Sequence, residues 1–294
     1  MLNISVVGAG RVGSTLAFML RRRGHKIVSV ISRSLRSARS VGILVGCKKC
    51  STDLSEVARD SNLIVIATPD NVVQEVSFHL SKLDHLDTER LSVFHTSGAL
   101  TSDVLGPLAE RGSTVFSLHP IQTFSKSISL RQQLKMMEGI WYGCEGESKG
   151  VAYARKLVRD LGGNFLAVPK EQKILYHLAC VFSSNYPVAL LGAVEELSSN
   201  LQKGSILPFS RLLSSSMQNA LMKGASGALT GPIERGSMEI LELHRKELSD
   251  RIPALLPLYN ALGMYALELA RRRGTLTEEQ VQQMSTILLS QHDR

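Results

Sequence analysis

A glycine-rich turn between a short apolar run and a helical pattern constrains the fold of this chain more than any other feature. Gly8, Gly10 and Gly13 follow the spacing G-x-G-x-x-G, directly after a β-branched run at residues 4–7. The first glycine permits a tight turn, the second admits a pyrophosphate close to the backbone, and the third lets helix and strand pack closely. Apolar residues then recur at helical spacing until Gly24, and a second β-rich run follows at once. This order predicts a dinucleotide-binding α/β domain.

The segment after the second predicted strand indicates which dinucleotide binds. Arg33 stands where such domains usually carry the acid that binds the ribose hydroxyls of NAD. An arginine there, flanked by Ser32 and Ser34 and followed by Arg36, suits a 2′-phosphate that a carboxylate would repel. We therefore predict NADP(H) as the cofactor. The alternative interpretation is that Arg33 and Arg36 only face solvent.

Strand-like and helical patterns alternate as far as residue 168 and then give way to helices alone. Five further strand-like runs begin near residues 63, 91, 114, 140 and 164, with helical stretches between most of them. Such alternation predicts an α/β domain with a doubly wound, mainly parallel sheet over residues 1–168. An all-α domain is predicted for residues 169–294, and its last helix opens with the capping-box spacing of Thr277 and Gln280.

Polar motifs follow three of the predicted strands. The sequence ATPD follows the run that begins near residue 63, HTSGAL the run near residue 91 and LHPIQTF the run near residue 114. Open parallel sheets bind their ligands beyond the carboxyl ends of the strands, so these motifs are expected near the nicotinamide. Each motif alone would be read as an ordinary polar strand end, but three of them beside a glycine turn indicate a site. The predicted cofactor contacts are Gly8, Gly10, Arg11, Val12, Gly13, Ser32, Arg33, Ser34, Arg36, Thr68, Pro69, Asp70 and Ser97.

A polar stripe on the first helix of the second domain supplies candidate catalytic residues. At about 100° per residue, Lys173, His177 and Ser184 fall on one side of this helix, and Asn185 follows. Reduction of a carbonyl or an imine requires a proton donor and a group that holds the substrate. Lys173 or His177 can serve the first need, while Ser184 and Asn185 can serve the second. The alternative is that the histidine is structural.

Three further residues are weaker candidates for substrate contacts. His95 lies in the motif HTSGAL and His119 in the motif LHPIQTF. Arg235 lies in the glycine-punctuated run at 223–237, which we expect to be a loop between helices. A plain surface connection is an equally good interpretation of this run.

Charge and composition argue against several other classes of protein. The net charge of +8 is concentrated at residues 21–23 and 271–273, which precede glycines at predicted helix ends, so we predict no nucleic-acid partner. The apolar stretch at 174–194 contains His177 and Pro187, and predicts a buried helix rather than a membrane span. The chain opens directly on its first strand and has four cysteines, which favours a cytoplasmic location. No complete set of metal ligands is present, so no metal is predicted.

With these motifs in hand, the chain resembles the 6-phosphogluconate dehydrogenase-like superfamily, and more closely the group that joins a Rossmann-like domain to a C-terminal domain of unknown function. HTSGAL, LHPIQTF, YHLACVFSSNYPVAL and GALTGPIERG carry the resemblance over nearly the whole chain. LHPIQ is also similar to the His-Pro of prephenate dehydrogenases. SSSMQNAL, from Ser214, resembles a ketopantoate reductase motif, with Asn219 where an acid is usual. Related hydroxyacid dehydrogenases carry a catalytic lysine and, four residues later, an asparagine; here His177 follows Lys173.

The resemblance implies an NADP-dependent reductase of a small acid, with ketopantoate as the first candidate. Two other functions stay open: an imine or pyrroline-carboxylate-type reductase on the same scaffold, and a catalytically silent NADPH-binding sensor or partner protein. We also expect a homodimer formed through the helical domain. The segments LLGAVEEL and IPALLPLYNALGMYALELA offer more apolar surface than one small domain can bury.

Overall fold

One sheet of eight strands organises the first half of the chain in this computed structural model, which describes residues 1–125, 127–202 and 204–290. The spatial order is β3-β2-β1-β4-β5-β6-β7-β8, and every neighbouring pair is parallel except β6 and β7. The strands are β1 (Asn3–Val7), β2 (Lys26–Ile31), β3 (Cys50–Ser51), β4 (Leu63–Ile66), β5 (Ser92–His95), β6 (Thr114–Pro120), β7 (Trp141–Gly146) and β8 (Asn164–Ala167). The predicted fold class is therefore confirmed.

Helices join the strands and then form the rest of the described chain. No strand follows β8 within the described residues, as the change of pattern after residue 168 predicts. The helices are α1 (Arg11–Arg22), α2 (Leu35–Val45), α3 (Val73–Ser81), α4 (Gly106–Ala109), α5 (Leu130–Met136), α6 (Ser148–Leu161), α7 (Lys173–Ser199), α8 (Leu207–Lys223), α9 (Ala225–Ala228), α10 (Met238–Arg251), α11 (Leu256–Arg273) and α12 (Glu278–Leu289).

Two separate apolar clusters cover the two faces of the sheet. In β4, Leu63 and Val65 point into the cluster that α1, α2 and α6 complete. Ile64 and Ile66 point the other way, into the cluster that α3 and α4 complete. This alternation follows from the two-residue period of a strand, and both faces are apolar because helices cover both. Because both faces of the sheet are apolar, the polar side chains of the predicted site lie at the carboxyl ends of the strands.

The contacts divide the chain into two compact units, Met1–Asn185 and Tyr186–Arg294. In the second unit, α10, α11 and α12 pack around a small core of Leu241, Leu267, Met284 and Leu288. The capping box predicted at Thr277 and Gln280 is present at the start of α12. The loop expected at 223–237 is interrupted by α9, because the small residues at 225–228 form one helical turn there. The domain boundary after residue 168 stays a prediction.

Helix α7 is exposed along its apolar length, which corrects the expectation of a buried helix. Leu175 is 68% exposed, Phe182 64% and Val188 69%. In the most apolar stretch of 18 residues in this helix, no residue is buried. By length and composition alone the helix could cross a membrane, but a single helix of this kind is weak evidence of a span. Hydropathy records how apolar a segment is, and it does not record whether the same chain covers it. A helix whose apolar face is covered by another molecule has the same hydropathy pattern as a helix buried in the core of its own chain.

Candidate functional site

The glycine turn after β1 has the close packing that its spacing predicts. Gly8 adopts a φ of +107°, a conformation that side chains disfavour. A Cβ added at Gly13 would overlap the carbonyl oxygen of Gly8, and one added at Gly8 would overlap that of Ala67. Gly10, in contrast, has open space where its side chain would stand, with no atom within 4 Å. Gly8 and Gly13 are thus needed for packing within the protein, while Gly10 leaves space beside the backbone for a ligand.

The groups around this turn fit a dinucleotide. Helix α1 begins at Arg11 and has Gly10 as its N-cap residue, with no side-chain cap and no acid in its first turn, so its N-terminus can take a negative group. Thr68, at the end of β4, has a buried hydroxyl oxygen without a hydrogen-bond partner among the described residues. Arg11 donates from Nη1 to the carbonyl oxygen of Ile128 at 2.9 Å, so its guanidinium borders the turn from the side of α5. Val12 follows Arg11 in the first turn of α1.

Matched alanine variants of two glycines test this division of roles. Gly13→Ala should lower the free energy of unfolding by about 3 kcal/mol or more, because backbone would have to move to admit the methyl group. Gly10→Ala should leave stability within about 0.5 kcal/mol, yet weaken NADPH binding about tenfold or more, because its methyl group would occupy the ligand's approach. Urea unfolding and NADPH fluorescence titration measure the two effects. A Gly10→Ala variant that binds NADPH normally would contradict the assignment.

The residues predicted to choose the cofactor lie together after β2. Arg33 and Arg36 are exposed and pair with no acid among the described residues. The hydroxyl of Ser34 caps α2 by accepting the backbone N–H of Ser37 at 3.3 Å. Ser32 continues the β2–β3 pairing, since its N–H donates to the carbonyl of Ser51 at 3.0 Å. The arrangement presents two free guanidinium groups beside the N-terminus of α2.

The loop after β5 is held by side chains of its own motif. Ser97 donates its hydroxyl to Oδ2 of Asp70 at 2.8 Å, and accepts the N–H groups of Ala99 and Leu100. His95 is fully buried; its Nδ1 accepts the N–H of Ser97 at 3.2 Å and its Nε2 lies 3.1 Å from the carbonyl oxygen of Thr101. A carbonyl only accepts, so the ring is neutral with its hydrogen on Nε2. His95, which the sequence suggested as a substrate contact, therefore shapes this loop. Ser97, which the sequence suggested as a cofactor contact, links the loop to Asp70, next to Pro69.

A second histidine, His119, lies against this loop and contacts a tyrosine of α7. His119 Nδ1 lies 2.6 Å from the hydroxyl of Tyr176, and the two rings meet edge to face. Burial raises the pKa of Tyr176, while burial first, and then Lys173, His177 and His95, lower the pKa of His119 to about 4. The His119 ring is therefore neutral at neutral pH, and either the Tyr176 hydroxyl or Nδ1 of His119 can be the donor in this bond.

Glycine makes room for these rings at two positions. A Cβ on Gly98 would lie 2.9 Å from Cδ2 of His177 and 3.1 Å from Nε2 of His119. One on Gly143 would overlap the hydroxyl of Tyr176. The loop after β5, strand β6 and the start of α7 therefore bring His119, His177 and backbone together within the first compact unit.

Lys173 occupies the first turn of α7 and is 1% exposed. Its Nζ donates to Oγ of Ser117 at 2.8 Å. Ser117 in turn lies 3.1 Å from Oε2 of Glu145, its partner in the β6–β7 register. Burial lowers the pKa of Lys173, and the nearby Glu145 carboxylate opposes that change. A cation so placed can neutralise or protonate an oxygen that gains negative charge.

Three further predicted residues, Ser184, Asn185 and Arg235, are described by their own surroundings. Ser184 donates its hydroxyl to the carbonyl of Cys180 at 2.8 Å, within α7 itself, and Asn185 beside it is exposed. Arg235 is exposed in the second compact unit. The structure gives these three no ligand-binding geometry of their own, and their roles stay predictions.

Sequence reasoning missed Ser117, Glu145 and Tyr176. Two signals were present: an acid inside the apolar strand run WYGCEG, and a tyrosine between Lys173 and His177. Neither signal shows which residue of β6 lies opposite Glu145. That pairing depends on the antiparallel register of β7, which the pattern of residues did not reveal.

Two family comparisons together cover most of the chain. Residues 1–120 match a Rossmann-like domain, and residues 140–266 match a domain of unknown function, DUF2520. A curated glycerol-3-phosphate dehydrogenase [NAD(P)+] from Syntrophotalea carbinolica is 29% identical over 120 residues, which are 37% of this chain and 35% of that protein. The match thus spans about a third of the length of the curated relative.

Solved structures extend the similarity to the whole chain. A provisionally assigned NADP oxidoreductase from Bacteroides fragilis is 25% identical with a TM-score of 0.74, covering 91% of this chain and 98% of that one. An imine reductase from Myxococcus stipitatus in complex with NADP+ is 17% identical with a TM-score of 0.56, covering 97% and 92%. At 17% identity that similarity concerns the fold alone. Residues 1–120 thus resemble a Rossmann-like domain and residues 140–266 a DUF2520 domain, and the chain is similar in structure to NAD(P)-dependent oxidoreductases.

Proposed function

We propose that this protein is an NADPH-dependent reductase of a small 2-oxo acid, with ketopantoate as the first substrate to test. The observation that carries the proposal is the buried ammonium of Lys173, hydrogen-bonded to Ser117 on the same sheet that carries the glycine turn. Hydride addition to a ketone leaves negative charge on its oxygen. An ammonium group has three N–H donors, and among the described residues Lys173 uses one of them, towards Ser117, so this buried cation suits that charge.

Each residue of this cluster has its own role in the proposed reaction. Bound NADPH supplies the hydride. Lys173 holds the proton that the carbonyl oxygen takes up, and its bond to Ser117 fixes the direction of the ammonium group. We assign Tyr176 as the donor to Nδ1 of neutral His119, which leaves its Nε2–H to donate a hydrogen bond to the substrate carboxylate beside Gly98. His177 lies next to the same glycine and completes the wall of the site.

The choice of NADPH is supported by the segment after β2. Arg33 and Arg36 carry no competing ion pair among the described residues, and no acid occupies the position that would repel a 2′-phosphate. The match to an NADP oxidoreductase of Bacteroides fragilis agrees with this assignment. The substrate carboxylate and the phosphates are all anions, which suits the net charge of +8.

The decisive experiment follows NADPH absorbance with a panel of 2-oxo acids and, separately, cyclic imines. Rapid oxidation with ketopantoate or another small 2-oxo acid is the expected result. Oxidation with cyclic imines alone would replace the proposal by an imine reductase. Tight NADPH binding without oxidation by any member of either panel would favour a catalytically silent binding protein.

We also propose that the protein is a homodimer joined through the apolar face of α7. Leu175→Glu places a charge on the side of α7 that Leu175 shares with Phe182, where Leu175 is 68% exposed, and should give a monomeric mass by light scattering at micromolar concentration. Ile43→Glu makes the same change at an 85% exposed position on α2 and should leave the dimer intact. A monomeric mass for the unmutated protein would contradict this proposal, and association only with lipid vesicles would replace it by membrane binding.

A further inference from the structure

Glu145 is a buried acid on β7 that the reaction described above does not use. Its side chain is only 2% exposed, and Tyr142 and Cys144 on the same strand are buried as well. Its Oε2 accepts the backbone N–H of Ser102 at 2.7 Å, and its Oε1 accepts the hydroxyl of the same serine at 2.8 Å. A carboxylate removed from water needs such donors to remain charged.

The same carboxylate is connected to Lys173 through one side chain. Ser117 Oγ accepts from Lys173 Nζ at 2.8 Å and donates to Glu145 Oε2 at 3.1 Å. Two consecutive hydrogen bonds hold the ammonium nitrogen and the carboxylate oxygen within about 6 Å of each other, close enough for strong coupling in a buried site. The ammonium group can only donate, so the Ser117 hydroxyl accepts from it and donates onward to Glu145, whose main-chain carbonyl oxygen at 3.3 Å is the second acceptor in reach beside Oε2.

The other titratable groups around Lys173 give it little compensation. Burial lowers the pKa of His95 and of His119 to about 4, so both rings are neutral at neutral pH. Burial raises the pKa of Cys144 to about 12 and raises that of Cys180. Tyr176 lies with its ring 5.5 Å from Nζ, and burial raises its pKa as well. Asp70 is the remaining acid that acts on Lys173, and its effect is smaller than that of Glu145.

We propose that Glu145 is a positioning residue of the reductase site, which acts through Ser117 to keep Lys173 protonated and its ammonium group aligned. This inference rests on the proposed function for its consequence in turnover, but the effect on Lys173 itself is independent of any substrate. The competing explanation is that Glu145 only anchors the turn that begins at Ser102. The two explanations differ in what they predict for the charge on Lys173.

The test measures the pKa of Lys173 directly. The Cε chemical shift of Lys173, assigned with a Lys173→Arg variant, is followed against pH in protein labelled with carbon-13 lysine. Glu145→Gln should lower the pKa of Lys173 by about 1–3 units, because it removes the nearest opposite charge. Glu145→Asp keeps the charge and should restore most of the loss. Ser102→Ala loosens the anchored turn but keeps the carboxylate, and should shift the pKa of Lys173 far less than Glu145→Gln.

The pH dependence of turnover is the second measurement of this test. A reaction that needs protonated Lys173 slows as pH rises through the pKa of that lysine. In Glu145→Gln the slowing should therefore move to lower pH by the same shift, with activity recovered on the acidic side. Absence of turnover in every variant would defeat the proposed function and leave the titration to decide the role of Glu145. An unchanged Lys173 pKa in Glu145→Gln overturns the inference, as does an equal shift in Ser102→Ala. If Glu145→Gln does not fold, Ser117→Ala decides: an unchanged Lys173 pKa there overturns it.

Discussion

Replacing Lys173 with methionine is expected to lower kcat/KM by about 10²–10⁴-fold, the range for losing a general acid or an oxyanion partner. Methionine has nearly the length of lysine, so the volume of this buried position is kept while the charge and its donors are removed. Affinity for NADPH should change little, because Lys173 starts α7 and the glycine turn opens α1. Steady-state kinetics with the best 2-oxo acid and NADPH fluorescence titration measure the two quantities.

The controls separate chemistry from folding. Lys173→Met leaves Glu145 without its counter-charge and should cost up to about 3 kcal/mol of unfolding free energy. The double variant Lys173→Met/Glu145→Gln should recover much of that stability without recovering turnover. Lys170→Met removes an exposed lysine that pairs with Asp103 at 2.7 Å, and should leave activity unchanged. Full activity in Lys173→Met would contradict the assigned role and would leave His177 as the remaining candidate donor.

The parts of this molecule that sequence predicted well are governed by local rules. The turn at Gly8 and Gly13 is one of these, because the φ of +107° at Gly8 and the contact of Gly13 with the carbonyl oxygen of Gly8 both lie within one strand–turn–helix unit. The position of Lys173 at the start of a helix with His177 one turn later is another, since helical spacing fixes their common side. Local spacing also placed Arg33 directly after β2.

The parts that sequence did not predict depend on pairings between distant segments. Ser117 and Glu145 lie 28 residues apart and meet only because β7 runs antiparallel to β6 in one register. A shift of one residue would turn Glu145 to the other face of the sheet. Tyr176 reaches His119 because Gly143 has no side chain, a condition set by a third element. The exposure of α7 escaped prediction for a related reason, since hydropathy carries no information on what covers a face.

The preference for NADPH should be reversed by one substitution after β2. Arg33→Asp removes a guanidinium that can form a bidentate bond with a 2′-phosphate and introduces a carboxylate that repels it. Losing such a contact typically weakens binding about ten- to a hundredfold, and repulsion adds to the loss. Affinity for NADH should fall little or rise, because a carboxylate at this position suits the free ribose hydroxyls.

Arg39→Asp is the matched control for that change. Arg39 is an exposed arginine on the same helix, α2, so its replacement alters the net charge of the protein by the same amount. If long-range attraction alone favours NADPH, both variants should lose affinity equally, and the loss should shrink at high salt. If Arg33 contacts the phosphate, only Arg33→Asp should lower the ratio of NADPH to NADH affinity, at low and at high salt. Equal dissociation constants for NADPH and NADH in the unmutated protein would show that the arginine after β2 does not select the cofactor.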